Sequence, residues 1–149
     1  MEISIHSLLE GATRATGTVV IIDVFRAFTT AAVALANGAS KIVMVGTVEE
    51  ALALRDADSG QICMGEVRGR APPGLDFGNS PFEISNVDFH GKTIIQRTSA
   101  GTQGIVAARQ AHRLYAARIG HGRGDRPRPF FRVHHSRSPS SPWAFSRGY

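Results

Sequence analysis

A carboxylate and a guanidinium follow one apolar stretch near the start of the chain. The run TVVIID (18–23) ends in Asp23, and Arg26 comes three residues later. Burying an unpaired carboxylate costs several kcal/mol. Asp23 therefore either caps the element that follows or lies at a rim where its charge is used. A fixed guanidinium suits a phosphate, and a carboxylate suits a divalent cation or a proton transfer.

Two later segments also place polar residues directly after apolar runs. Glu66 follows QICMG (61–65), and the Gly/Thr-rich stretch TSAGTQG (98–104) follows TIIQR (93–97). In an open parallel sheet, ligands bind beyond the carboxyl ends of the strands. Each piece alone is equally typical of a helix cap or a turn, and the chain lacks the Walker A and GxGxxG fingerprints. Their convergence on one sheet edge favours a phosphate site.

The elements that would position these residues alternate between strand and helix patterns. The pattern predicts a layered α/β fold with a mostly parallel or mixed sheet and helices on both faces. TVVIID is typical of a central strand covered on both faces. The predicted strands are 1–6, 18–23, 41–45, 61–65 and 93–97; the predicted helices are a turn at 7–12, then 26–37, 49–57 and 101–117.

The charge of the chain is unevenly distributed. Residues 1–117 hold 10 Lys and Arg against 11 Asp and Glu, whereas residues 118–149 hold seven Arg and one acid. The second part has no hydrophobic period and contains no Lys, Glu or Leu, so we expect a disordered basic tail after an α/β region at 1–117. Its composition is also typical of a shifted reading frame in GC-rich coding DNA.

Composition limits the class of protein. The chain has 149 residues and one cysteine, Cys63, which excludes an internal disulfide framework and a cysteine-rich zinc site. We find no apolar run of the roughly 18 residues that a membrane helix needs and no signal-peptide pattern at the start. These features predict a cytoplasmic protein without a membrane partner.

Four motifs in this order resemble the 2-phosphosulfolactate phosphatase family. They are DVFRAFTTAAVALANGA, MGEVRG, GLDFGNSP and HGKTIIQRTSAGTQG, and the resemblance covers about residues 2–117. It implies a Mg²⁺-dependent phosphatase that removes phosphate from 2-phosphosulfolactate, a step towards coenzyme M. The implied partner is a small anionic phosphorylated substrate, with a homo-oligomer as a further expectation.

The resemblance also implies site residues. Asp23, Arg26 and Glu66 would be catalytic, and Asp23, Glu66 and Asp76 would bind magnesium. Phosphate and the second anionic group of the substrate would contact a larger polar set, consisting of Thr29, Thr30, Arg68, Asn79, Ser80, Thr98, Ser99, Gly101 and Thr102. Arg70 and Arg97 are further candidates for the second anionic group.

The chain departs from the family after residue 117. The resemblance implies a second α/β half that completes the fold, and the basic tail stands in its place. We therefore expect an incomplete fold, low solubility and impaired activity. Two other functions stay open: non-specific nucleic-acid binding through the Arg-rich tail and its aromatic residues Phe130, Phe131 and Trp143, and a phosphate-binding module without catalysis.

Overall fold

The computed structural model describes residues 2–119, 130–135 and 142–146. In these ranges the chain forms four helices and seven strands. The helices are α1 (Leu8–Arg14), α2 (Ala27–Ala36), α3 (Val48–Asp56) and α4 (Gly101–Ala107); the strands are β1 (Gly17–Ile22), β2 (Lys41–Met44), β3 (Ile62–Gly65), β4 (Thr93–Arg97), β5 (Ala111–Ala117), β6 (Phe130–His135) and β7 (Trp143–Ser146). No helix in the described part is long and apolar enough to cross a membrane.

The strands form one mixed sheet in the order β1-β5-β6-β7-β2-β4-β3. β1 pairs in parallel with β5, and β4 pairs in parallel with both β2 and β3. The pairs β5–β6, β6–β7 and β7–β2 are antiparallel. The predicted α/β class with a mixed sheet is therefore confirmed.

Helices cover both faces of the sheet, as predicted. On one face, Phe28 of α2 and Ile105 of α4 join the main core with strand residues such as Ile94. On the other face, Ala51 of α3 packs with Cys63 and with other residues of β2, β3 and β4. Within a strand, alternate side chains point to opposite faces, so neighbouring residues enter different cores.

The sheet curves around α2 and α4. Helix α4 contacts β1, β2 and β4 at once, although β1 and β4 are five positions apart in the strand order. Five spacings of about 4.8 Å would separate them by roughly 24 Å in a flat sheet, about twice the diameter of a helix. The curvature therefore brings the carboxyl ends of β1 and β4 to the same helix.

The prediction that TVVIID lies in the sheet centre, covered on both faces, is wrong. β1 is the outermost strand of the described sheet. Val19 is buried against the main core, whereas Val20 and Ile22 on the opposite face are exposed. The run is apolar at every position, a pattern typical of a strand that is buried on both faces. In the described residues, only the Val19 face of β1 is covered.

The predicted helix 101–117 is half helix and half strand. α4 ends at Ala107, and residues 111–117 form β5, which pairs in parallel with β1. Helix propensity predicts a continuous helix because AARQAHRLYAA is rich in good helix formers. Leu114 and Ala116 are buried while Arg113 is exposed, so tertiary packing against β1 imposes the two-residue period of a strand instead.

The predicted first strand is wrong, whereas the predicted tail lies mostly outside the described residues. Residues 2–7 form no strand, and Ile3 and Ile5 are exposed. In the predicted tail, the described residues 130–135 and 142–146 are β6 and β7, and Val133 and Phe145 are buried. Regular structure was not predicted there; the remainder of the tail lies outside the described residues.

Candidate phosphate site at the 98–102 turn

Asp23 lies directly after β1 and caps the start of α2. Its Oδ1 accepts hydrogen bonds from the backbone N–H groups of Phe25 and Arg26, both at 3.1 Å. Its own N–H donates to the carbonyl of Ala117 on β5, which holds it at the carboxyl edge of the sheet. Its Oδ2 has no hydrogen-bond partner among the described residues. Asp23 therefore caps α2 through Oδ1 while Oδ2 stays available to a ligand.

Gly101 brings the start of α4 against Asp23. A Cβ atom built on Gly101 would lie 2.7 Å from Asp23 Oδ2 and 2.7 Å from the Cβ of Ala27. Real Cβ atoms do not approach so closely, so only glycine allows this contact. The sequence places Asp23 and Gly101 78 positions apart, and the curved sheet brings them together.

Glu66 is buried beside the same turn. Its Oε1 accepts from the Ser99 N–H at 2.6 Å, and its Oε2 accepts from the Gly69 N–H at 2.7 Å and the Ser99 hydroxyl at 3.0 Å. Burial alone would raise the pKa of Glu66. The Ser99 and Gly69 donors and the charge of Arg97 outweigh burial and hold this pKa below the ordinary 4.5.

The segment 98–102, hereafter the 98–102 turn, links the two carboxylates. Ser99 binds Glu66, and Gly101 contacts Asp23. The turn is braced internally, because the Thr98 N–H donates to Thr102 Oγ1 at 2.7 Å and the Thr102 N–H donates to Thr98 Oγ1 at 3.1 Å. The structure thus brings Asp23, Glu66 and this turn to one side of the molecule.

The two braced threonines are engaged within the turn. Thr98 and Thr102 are buried, and their hydroxyls and the Thr102 N–H take part in the internal bonds of the turn. That Thr98 and Thr102 contact phosphate therefore stays a prediction, with both side chains buried and bonded within the turn. Ser99 is exposed, but its Oγ already donates to Glu66 and accepts from the Arg68 N–H.

The arginines near the turn fall into two groups. Arg97 is engaged, since it donates to the carbonyl of Glu66 at 2.8 Å and to that of Gly46 at 3.2 Å. Arg26 and Arg68 are exposed, and neither guanidinium has an ion-pair partner among the described residues. Arg70, in the same loop as Arg68, is likewise exposed without an ion-pair partner among the described residues, so Arg26, Arg68 and Arg70 can all meet an anion.

The three predicted magnesium ligands do not come together. Asp76 accepts from the Cys63 N–H at 2.8 Å and lies 3.5 Å from the Arg55 guanidinium on α3. Within 2–119, 130–135 and 142–146, no three His, Cys, Asp or Glu side chains are grouped as a metal site. A site made of Asp23, Glu66 and Asp76 therefore does not fit, because Asp76 is bonded to β3 and α3 and Glu66 is held by three donors.

Two polar residues of the GNSP motif differ in their hydrogen bonding. The Ser80 hydroxyl accepts from the Glu83 N–H at 3.3 Å and caps the turn that follows. Asn79 is buried, and its Oδ1 has no hydrogen-bond partner among the described residues. Ser80 thus acts as a cap, while Asn79 retains an unused acceptor.

The two threonines of α2 differ in burial. Another buried polar residue, Gln96, contacts α2 and was not among the predicted site residues. Thr29 is half-buried, whereas Thr30 is fully buried with an unpaired Oγ1. Gln96 of β4 is also fully buried; its Nε2 donates to the Ala27 carbonyl at 2.9 Å, and its Oε1 is unpaired. The sequence does carry a signal for Gln96, because it is a polar residue inside the apolar run TIIQR and buried polar groups need partners.

Comparison with known proteins identifies the family. The family model described as 2-phosphosulpholactate phosphatase matches residues 3–119. The chain belongs to this family. The match includes β1, α2, β3, β4 and the 98–102 turn, so every residue of the site described above lies inside it.

Relatives of this 2-phosphosulfolactate phosphatase family member carry consistent names. The chain is 43% identical over 100 residues to the "Probable 2-phosphosulfolactate phosphatase" of Thermotoga petrophila, a match of 67% of this chain and 43% of that protein. It is 45% identical over 101 residues to the protein of the same name from Carboxydothermus hydrogenoformans, covering 68% of this chain and 42% of that one. The chain therefore spans less than half the length of the relatives that it matches.

Proposed function

We propose that this chain binds and hydrolyses the phosphate monoester of a small acidic hydroxy acid, with 2-phosphosulfolactate as the first candidate. The names of the relatives support the phosphatase reaction. We propose a lower rate than that of full-length relatives, because the chain matches only 42–43% of their length. A cytoplasmic location and a role on the route to coenzyme M stay predictions from the resemblance.

The contact between Asp23 and Gly101 is the observation that carries the proposal. It places a carboxylate oxygen without a partner where α2 and α4 begin, and Arg26 lies exposed in the same cap. A guanidinium beside a carboxylate can hold a phosphate and act on the proton of the attacking or leaving oxygen. No other carboxylate at the 98–102 turn has such freedom, since Glu66 is held by three donors.

Exposed arginines suit the two anionic groups of the substrate. We assign the phosphoryl group to Arg26, whose backbone is fixed by Asp23. Arg68 follows Glu66 by two residues, and its backbone N–H is bonded to Ser99. We assign its guanidinium to the second anionic group. A planar guanidinium binds phosphate, carboxylate or sulfonate oxygens through paired N–H donors.

Asp23 is our candidate for the proton transfer. In hydrolysis, water adds its oxygen to phosphorus, the bond from phosphorus to the ester oxygen breaks, and the hydroxy acid leaves with a proton. An ionised Asp23 can accept the proton of the water and return it to the leaving oxygen. Glu66 has a different role: its lowered pKa keeps it ionised, and its bonds to Ser99 and Gly69 fix the turn.

Magnesium remains a proposal with Asp23 as its candidate protein ligand. Mg²⁺ in proteins commonly keeps water molecules and binds one or two carboxylates together with substrate phosphate oxygens, and Asp23 Oδ2 is an unpaired hard donor. The ion would neutralise phosphate charge. Removing divalent ions with a chelator should lower phosphate release, and adding Mg²⁺ should restore it; unchanged release would remove magnesium from the proposal.

Release of inorganic phosphate from 2-phosphosulfolactate tests the proposed reaction. The 149-residue chain should show slow turnover, and Asp23→Asn should lower it at least tenfold. Asp58→Asn is the matched control, because Asp58 is exposed with φ of 53° and asparagine tolerates this conformation. Turnover in Asp23→Asn equal to that of Asp58→Asn, or none in the unchanged chain, would overturn the proposal.

A further inference from the structure

Arg97 connects the carboxyl ends of three adjacent strands. It is the last residue of β4, which lies between β2 and β3 in the sheet. Its Nε donates to the carbonyl of Gly46, two residues after β2, at 3.2 Å, and its Nη1 donates to the carbonyl of Glu66, directly after β3, at 2.8 Å. A planar guanidinium presents its N–H donors in a fixed fork, so this one side chain sets the spacing of both segments.

Arg97 binds both polar backbone groups of Glu66. Its guanidinium holds the Glu66 carbonyl, and its own carbonyl accepts from the Glu66 N–H at 2.9 Å. The carboxylate of Glu66 in turn accepts from the N–H groups of Ser99 and Gly69. Because the Arg68 N–H is bonded to the Ser99 hydroxyl, Arg97 also fixes the loop that carries Arg68.

Gln103 ties the first part of α4 to the same carbonyl. Its Nε2 donates to the Gly46 carbonyl at 2.8 Å and to the Thr98 carbonyl at 2.9 Å. The Gly46 N–H donates to Glu50 Oε2 on α3 at 3.0 Å, so both polar backbone groups of Gly46 have partners. Gly46 is therefore a fixed point to which residues on both sides of the 98–102 turn are bonded.

We propose that Arg97 and Gln103 are positioning residues of the phosphate site and act through the Gly46 carbonyl. Arg97 joins the loop after β3 to Gly46, and Gln103 joins Gly46 to the turn. The two links are in series, so the loss of either one loosens the turn. This role rests on the proposed function, because it consists in placing the groups that bind the substrate.

A loosened turn changes the site in two places. Gly101 of the turn lies against Asp23, and Ser99 holds the backbone of Arg68. These contacts place the carboxylate and one of the guanidinium groups that we assign to the substrate. Arg97 acts on them without touching the substrate, since its guanidinium is bonded to two backbone carbonyls.

Isothermal titration calorimetry with 2-phosphosulfolactate and amide hydrogen exchange without ligand, both on the 149-residue chain, test this role. Arg97→Met and Gln103→Met remove the donors and keep an unbranched side chain. Each should weaken binding by about fivefold or more, the net effect of one hydrogen bond, and should speed exchange of the Ser99 amide. The double variant should bind no more than about twofold more weakly than the poorer single variant, because independent effects would multiply whereas links in series do not.

Arg109→Met and Gln110→Met are the matched controls, because both residues are exposed just after the end of α4. Circular dichroism establishes that each variant is folded, and both controls should keep the affinity and the Ser99 exchange of the unchanged chain. If Arg97→Met does not fold, Gln103→Met decides the point.

A merely structural role would lower the unfolding temperature of Arg97→Met and Gln103→Met and leave the affinity of the folded chain at the level of the controls. That result, unchanged Ser99 exchange, or a double variant whose loss equals the product of the single losses would overturn the positioning role and leave the proposed function in place. No binding by the unchanged chain would overturn the proposed function and this role together.

Discussion

Two carboxylates at the 98–102 turn lie in different surroundings and are suited to different roles. Asp23 uses one oxygen to cap α2 and keeps the other without a partner. Glu66 is buried and accepts three hydrogen bonds, which fix the loop after β3 to the turn. Residue type alone does not distinguish them, since both follow apolar strands; their hydrogen-bond partners do.

Gly101→Ala should disturb the contact with Asp23. The added Cβ would lie 2.7 Å from both Asp23 Oδ2 and the Ala27 Cβ, so α4 must move away from α2. We expect the free energy of unfolding to fall by about 1–3 kcal/mol, as for overpacked sites, measured by urea denaturation. Gly46→Ala is the control, because its added Cβ would be no closer than 3.8 Å to its neighbours. Equal stability of the two variants would contradict the contact.

Glu66→Gln should weaken the turn and change its response to acid. At pH 7 the free energy of unfolding should fall by about 1–3 kcal/mol, the range for hydrogen bonds to a charged group. The folded pKa of Glu66 is below 4.5, so its ionised form stabilises the fold above about pH 4.5, and this contribution is lost as the pH falls through the folded value. Urea denaturation at several pH values should therefore show the largest difference between wild type and variant above pH 4.5.

Glu49→Gln is the control for this pH series. Glu49 is exposed in the first turn of α3, and its variant should stay within about 0.5 kcal/mol of wild type at pH 7. Parallel curves for wild type and Glu66→Gln down to pH 3 would show that the ionised carboxylate does not stabilise the turn.

At the level of elements, the segment that follows α4 decides how the site is built. β5 pairs with β1 and fixes Asp23 through the Ala117 carbonyl. A helix continuing through these residues would leave that backbone bond unmade. The short α4 followed by a strand therefore holds both β1 and the 98–102 turn in place.

Leu114→Ala should test the burial of β5. Leu114 is 1% exposed in the main core, so its truncation should lower the free energy of unfolding by about 2–5 kcal/mol. The adjacent Arg113 is exposed on the opposite face, and Arg113→Ala should stay within about 0.5 kcal/mol of wild type. A small loss in Leu114→Ala would mean that β5 does not pack into the core.

The sequence was informative where local patterns determine the structure. It predicted α2, α3 and the strands β1, β2, β3 and β4 from hydrophobic runs. It also placed Asp23 and Glu66 on one edge, because carboxyl ends of parallel strands share it. The sequence did not predict the edge position of β1 or the change from α4 to β5, because long-range strand pairing decides both.

For the whole molecule, the curved sheet explains how segments that are far apart in the sequence meet. α4 joins β1 to β4 across the curve, which brings Asp23 to Gly101. Val20 and Ile22 lie on the opposite face of β1 from Val19 and are exposed. The groups that we propose for anion binding therefore come from segments far apart in the sequence.

Binding of 2-phosphosulfolactate measured by isothermal titration calorimetry tests the central claim most directly, because it does not require turnover. Arg26→Ala should weaken binding at least tenfold, since it removes the exposed guanidinium that we assign to the phosphoryl group. Arg113→Ala removes an exposed arginine from β5 and should leave the affinity unchanged. Equal affinities for the two variants, or no measurable binding by the unchanged chain, would contradict a phosphate site at the 98–102 turn.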